Sequence, residues 1–146
     1  AARFVLVGHQ VTALAPRVDT LGLRDAALLL EQRADMPQLM AAFDIGCLSS
    51  AFGEGFPNVL GEMMACAVPC VSTTVGDAAQ IVANTGLVVP PSAPMALADA
   101  LLALWLEGPD ARRARGHAAR QRVEAHYTLA QTTERYATLY RRLAAA

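Results

Sequence analysis

The chain has 146 residues, a length that suits one domain, and 12 Lys and Arg stand against 13 Asp and Glu for a formal net charge of -1. That balance excludes the basic surplus of a protein that coats nucleic acid or an anionic membrane. Hydrophobic residues make up 54% and charged residues 17%, enough for a sizeable core and too apolar for wholesale disorder.

The chain opens with Arg3-Phe4-Val5-Leu6-Val7-Gly8, an apolar run too short for a signal peptide or a membrane span. It reads as a buried strand, and a chain that opens inside a strand reads as cut from something longer. Further strand-length runs follow at Ala27–Leu30, Ile45–Leu48, Val68–Ser72 and Leu87–Val89. Helical stretches are expected between them at Val11–Leu21, Met36–Phe43, Asn58–Cys66 and Asp77–Ala83. Unbroken apolar strands that alternate with helices predict an α/β protein: a Rossmann-like parallel sheet with helices on both faces.

After Pro90-Pro91 the strands stop. Leu97, Leu101, Leu104 and Trp105 recur at helical spacing and predict a helix over Pro94–Glu107, ended by Gly108-Pro109, with Asp110 placed to cap the next. Thr128 and Gln131 have capping-box spacing and open a last helix whose apolar stripe is Tyr136, Leu139, Tyr140 and Leu143. The expected organisation is one Rossmann-like domain over 1–126, truncated at its N-terminal edge, with 127–146 as its C-terminal helix.

Cys47, Cys66 and Cys70 are odd in number and match no zinc spacing, so they read as buried reduced thiols. His9 reads as an ordinary loop residue. His117 and His126 lie on an arginine-rich helix whose Arg112, Arg113, Arg115, Arg120 and Arg122 read as a solvated face.

The informative segment runs from Ser49 to Glu62, directly after the third strand. Open parallel sheets bind ligands at the carboxyl ends of their strands. Gly53 and Gly55 allow the backbone close to a ligand. Asn58 is expected to cap the following helix, whose first N–H groups and dipole attract phosphate. Glu54 lies before the helix and Glu62 one turn into it. Glu62 is too far along to hold phosphate, and its carboxylate suits a diol such as a ribose. Each glutamate also has a plainer reading, as an exposed helix residue and a loop charge.

The run Glu54-Gly55-Phe56-Pro57-Asn58-Val59, then Glu62-Met63-Met64-Ala65-Cys66-Ala67-Val68-Pro69-Cys70-Val71, resembles the signature of the retaining GT-B glycosyltransferases of family 4 (glycosyl transferases group 1). The likeness extends through Val75-Gly76-Asp77 and Thr85-Gly86-Leu87-Val88-Val89-Pro90-Pro91, over nearly the whole chain, and points to the C-terminal donor-binding domain. It implies that Glu54 contacts the transferred sugar as the catalytic residue and that Glu62 binds the ribose. It also implies that Gly55, Phe56, Pro57, Asn58 and Val59 hold the donor through backbone N–H groups from Phe56 to Val59. Gln32 and Arg33 would border the nucleobase.

The implied donor is a UDP- or GDP-linked sugar, with no metal and no other cofactor. The implied setting is polysaccharide or glycolipid synthesis, in the cytoplasm or peripherally at the inner face of the membrane. Nucleic acid is not an expected partner, whereas a missing N-terminal acceptor domain is, and the stripe on the last helix offers a surface for a homodimer. Family members carry an arginine and a lysine in the first strand-loop unit; that basic pair is absent here, so weak donor binding and no transfer by the chain alone are expected. Glu31, Met63 and Ala67 stand where glycine, alanine and glycine are common, and Gln80 where glutamate is frequent. The rival readings are a non-catalytic nucleotide-binding or regulatory module of the same fold and a flavodoxin-like receiver. The receiver is weakened by the lack of an acidic cluster after the first strand.

Overall fold

The computed structural model describes residues 2–145. The chain forms two compact units, Ala1–Met36 and Pro37–Ala146.

In the first unit, β1 (Phe4–Val7) and β2 (Ala27–Leu30) pair in parallel, with Phe4 opposite Ala27 and Val7 opposite Leu30. The helix expected over Val11–Leu21 is split into a 3₁₀ turn at Val11–Leu14 and α1 (Ala15–Thr20). Pro16 is the physical reason. It has no N–H to continue the ladder and is suited to the first turn of a new helix. Glu31, after β2, closes the start of the 3₁₀ turn. Its carboxylate accepts from the Gln10 amide at 3.0 Å, the Thr12 amide at 3.1 Å and the Thr12 hydroxyl at 2.7 Å.

The boundary between the units falls within α2 (Met36–Met40), which ends short of Phe43 in tighter i→i+3 turns from Ala42 and Phe43. The second unit holds a three-stranded parallel sheet of β3 (Gly46–Leu48), β4 (Cys70–Thr73) and β5 (Leu87–Val89), with β4 central. β4 starts later than its apolar run suggested. Val68 donates instead to the Met63 carbonyl, and Pro69 has no N–H for a ladder.

Around this sheet lie α3 (Asn58–Ala65), α4 (Ala78–Val82) and α5 (Pro94–Leu106). On one face, Val71 and Val89 pack with Ala100 and Leu104 of α5. On the other, Gly46 meets the Met63 side chain of α3 and Gly86 meets Val82 of α4. The sheet is therefore covered on both faces, as the alternation of strands and helices predicts. Leu60, Met64 and Ile81 are fully buried with Leu104.

α6 (Gly108–His126) begins at Gly108, and Glu107 holds the N-cap position. Asp110 is thus in the first turn, pairing with Arg113, rather than capping. α6 presses so closely on the turn after α3 that a side chain at Gly116 would collide with the Ala67 carbonyl. α7 (Leu129–Ala144) opens on the expected capping box, with Thr128 accepting from the Gln131 amide and Gln131 from the Thr128 amide. Tyr136, Leu139, Tyr140 and Leu143 are all exposed along it.

The arginines of α6 are more than a solvated face. Arg112 donates to the Trp105 carbonyl at 2.6 Å and lies over the Trp105 ring, closing the end of α5. Arg115 pairs with Glu107, while Arg122 binds the carbonyls of Gln80 at 2.6 Å and Ile81 at 2.9 Å. Arg120 pairs with Glu124 on the outer surface. The cysteines are all free, but only Cys70 is buried; Cys66 is half-buried and Cys47 exposed. Period 2 puts Cys47 and Cys70 on different positions of the pleat, so an apolar neighbourhood in sequence did not guarantee burial.

Candidate functional site

The segment singled out by the sequence leaves the carboxyl end of β3 and runs from Ser49 to the start of α3. Its shape is set by bonds to the neighbouring strand and loop. The Thr73 hydroxyl, at the end of β4, donates to the Ser50 carbonyl at 2.6 Å. The Ser50 hydroxyl in turn donates to Glu54 Oε1 at 2.7 Å. Glu54 is half-buried, and this bond fixes its carboxylate while leaving Oε2 without a protein partner among the described residues.

The middle of the segment is held by the loop after β4. The Asp77 amide donates to the Gly55 carbonyl at 2.8 Å. Gly76 lies against the carbonyls of Gly55 and Glu54, with φ at +51°, so both its backbone conformation and the space around it require glycine. Phe56 is 45% exposed, and its ring meets Tyr127 edge-on with centroids 5.6 Å apart.

The start of α3 differs in one respect from its expected form. Pro57 occupies the N-cap position and Asn58 is the first helical residue, with no side-chain cap bond. Pro57 is buried, whereas Asn58 is exposed. Because proline has no N–H, the open donors of Phe56 to Val59 are three: the amides of Phe56, Asn58 and Val59. None has a protein acceptor among the described residues. Leu60, next in line, already donates to the Pro57 carbonyl at 3.1 Å. An uncapped N-terminus leaves both the donors and the positive end of the helix dipole available to an anion.

Glu62 is exposed one turn into α3, and its carboxylate has no protein hydrogen bond among the described residues. A carboxylate so placed is free to accept from two hydroxyls of a ligand. Arg33 lies in the first unit, where its guanidinium is engaged by Asp35 through two bonds of 2.8 and 2.6 Å. That pairing raises the Arg33 pKa and lowers that of Asp35, and it satisfies part of the group expected to border a nucleobase. Gln32 is exposed beside it.

Ser50, Thr73, Gly76 and Tyr127 were not among the residues expected to shape this site. Of these only Gly76 carried a local signal, as a glycine just before a short helix. Ser50 lies within the singled-out segment, four residues from Glu54, whereas Thr73 and Tyr127 act through contacts remote in sequence. Among the described residues, no group of three or more His, Cys, Asp or Glu side chains is clustered so as to hold a metal ion. Likewise, no helix is long and apolar enough to cross a membrane.

Known proteins resemble this chain in both sequence and fold. The sequence model of the family described as "Glycosyl transferases group 1" matches residues 1–107. N-acetyl-alpha-D-glucosaminyl L-malate synthase of Bacillus anthracis is 29% identical over 143 residues, which are 95% of this chain and 37% of that protein. Among solved structures, HepE of Anabaena in complex with UDP superposes with a TM-score of 0.86 at 26% identity, covering 95% of this chain and 40% of its own. Sucrose-phosphate synthase from Thermosynechococcus elongatus gives a TM-score of 0.86 at 28% identity, covering 97% of this chain and 38% of its own. The chain therefore spans about two fifths of the length of these relatives. With its parallel, two-sided α/β architecture and the match over most of its length, the chain belongs to the group 1 glycosyl transferases and has their GT-B, Rossmann-like fold.

Proposed function

We propose that this chain is the C-terminal, donor-binding domain of a retaining family 4 glycosyltransferase. The observation that carries the proposal is the junction at Phe56–Val59: three open amides at a helix start, with the Glu54 carboxylate held before it and the Glu62 carboxylate free after it. The amides of Phe56, Asn58 and Val59 hold the diphosphate and donor-sugar hydroxyls. Glu62 accepts from the ribose hydroxyls, and Glu54, oriented by Ser50, contacts the transferred sugar. Gly55 and Pro57 shape the turn that presents these groups. The relatives support a nucleotide sugar as donor, since HepE structures hold UDP and UDP-glucose.

In the reaction so assigned, the bond from the anomeric carbon to the diphosphate oxygen breaks and its electron pair goes to the leaving phosphate. Fixed N–H donors and the helix dipole stabilise that charge without a metal. The acceptor hydroxyl attacks on the same face, forms the new glycosidic bond and gives its proton to the departing phosphate.

The acceptor is held by another domain of the complete enzyme, so transfer requires more than these 146 residues. The setting we assign is cell-surface polysaccharide or glycolipid synthesis, in the cytoplasm or peripherally at the inner membrane face. The exposed stripe on α7 offers a surface for a second copy of the chain, and sedimentation of the isolated chain tests it.

Ligand-observed NMR with UDP, GDP and ADP in competition tests the donor reading. Selective binding of UDP or GDP that is lost in Glu62→Ala supports it. No binding of any of the three at millimolar concentration, by this chain or by a longer one that carries the family's basic pair, overturns it.

A further inference from the structure

The contact between Phe56 and Tyr127 joins the candidate donor loop to the elbow between α6 and α7, and the elbow is the better-anchored side. The Tyr127 amide closes α6 by donating to the Val123 carbonyl at 2.9 Å. Its hydroxyl donates to the Gln80 carbonyl at 3.2 Å. Arg122 donates to the same Gln80 carbonyl and to Ile81, and its guanidinium lies 5.7 Å from the Tyr127 ring centre. Beyond the elbow, Thr128 and Gln131 form the capping box, and Gln131 Nε2 donates to the Ala125 carbonyl at 2.9 Å. Tyr127 is therefore held from α4 and from α6, at an elbow that the capping box of α7 closes.

Phe56 has no such support. It lies in an irregular segment, is 45% exposed, and its ring stands at 61° to Tyr127 with centroids 5.6 Å apart. Its amide is one of the three open donors, and the other two follow within three residues. The Gly55 carbonyl is fixed by Asp77, so the segment is pinned on the near side of Phe56 by a hydrogen bond and at Phe56 by the ring. An edge-to-face aromatic contact constrains both the side chain and the backbone torsions that carry it.

We infer that Tyr127 is a positioning residue for the donor loop, acting through the Phe56 ring to hold the Phe56, Asn58 and Val59 amides in one orientation. This inference rests on the donor-site reading. Amides ordered in advance bind without the entropic cost of ordering them on contact. The C-terminal elbow is thus a working part of the site and not only a connection between two helices.

The test compares Tyr127→Ala and Tyr127→Phe with the unaltered chain by backbone ¹⁵N relaxation and by UDP titration, with GDP and ADP alongside. The expected result is that Tyr127→Ala lowers the heteronuclear NOE at Gly55, Phe56, Asn58 and Val59 and weakens UDP by about 3- to 10-fold. Tyr127→Phe, which keeps the ring and loses only the hydroxyl bonds, restores both. Unchanged relaxation in Tyr127→Ala overturns the inference, even if that variant melts at a lower temperature. A looser loop with unchanged UDP affinity overturns the role in donor binding. If neither the unaltered chain nor a longer one that carries the family's basic pair binds a nucleotide while the loop still loosens in Tyr127→Ala, the clamp stands and the donor-site reading falls.

Discussion

The Asp77 amide donates to the Gly55 carbonyl at 2.8 Å, so the loop after β4 dictates the course of the loop after β3. This backbone bond is possible because Gly76, immediately before Asp77, brings its chain against the Gly55 and Glu54 carbonyls. The role proposed for Glu54 therefore depends on a residue outside its own loop.

Gly76→Ala is expected to cost about 1–3 kcal/mol, from a left-handed torsion and from collision with two carbonyl oxygens. It should also weaken UDP, because relief of the collision moves Gly55 and Phe56. Asp77→Ala keeps the backbone amide and should change stability by no more than about 0.5 kcal/mol, since the Asp77 side chain is exposed. Urea unfolding and nucleotide titration of the two variants check this. Equal stability in both would show that the close approach at Gly76 is relaxed without cost.

Cys70 is the least reactive thiol expected in the native chain. Burial, aided by the nearby Cys47, pushes its pKa up to about 12 from an ordinary 9.0. At pH 8, iodoacetamide should modify Cys66 before Cys70, read by peptide mass spectrometry. The folded pKa is raised, so this contribution to stability is complete below about pH 9 and is lost as pH rises toward 12. The slope is up to about 1.4 kcal/mol per pH unit. Cys70→Ala should remove that slope, and equal alkaline sensitivity in both chains would contradict the assignment.

In the first unit, Glu31 is the group to titrate. Hydrogen bonds from the Thr12 hydroxyl and amide, and then from the Gln10 amide, hold its carboxyl below the usual glutamate range. A depressed carboxyl pKa stabilises the fold above the unfolded value and loses that contribution as pH falls through the folded value. Thr12→Ala should move the Glu31 midpoint upward in a ¹³C-detected titration. A midpoint unmoved by the substitution would mean that Thr12 is not its main partner.

Much of the fold can be read from local pattern, and much of the site cannot. The bounds of Phe4–Val7, Ala27–Leu30 and Leu87–Val89 coincide with their apolar runs, and Thr128 with Gln131 marks the start of α7. These features depend on neighbours in sequence, where period and capping chemistry are visible. Pro57 as the N-cap was missed because Asn58 has the better side chain for the role, yet no acceptor bond is made. The clamps on the loop, Gly76 on Gly55 and Tyr127 on Phe56, are tertiary contacts between distant segments. No spacing rule pairs them. Their places around the loop after β3 mark Glu54 and Glu62 as candidates and the resemblance to a family gives them roles, but only the structure supplies Ser50 and Thr73 as the residues that orient Glu54.

Ala67 offers the clearest stabilising change. It follows α3 with φ at +59°, a left-handed conformation that an L side chain adopts at a cost of about 1–2 kcal/mol. The conformation is imposed from both sides: Ala67 donates to the Met64 carbonyl at 2.9 Å, and Val68 donates back to Met63 at 3.1 Å. Gly116 of α6 then seats against the Ala67 carbonyl, so the turn has no room to relax. Glycine at this position removes the torsional cost, offset in part by about 0.4–1 kcal/mol of added freedom in the unfolded chain. Ala67→Gly is therefore expected to raise stability by about 0.5–1 kcal/mol in urea unfolding with no change in the m-value. A loss of stability would show that the Ala67 methyl group contributes packing that outweighs the torsion.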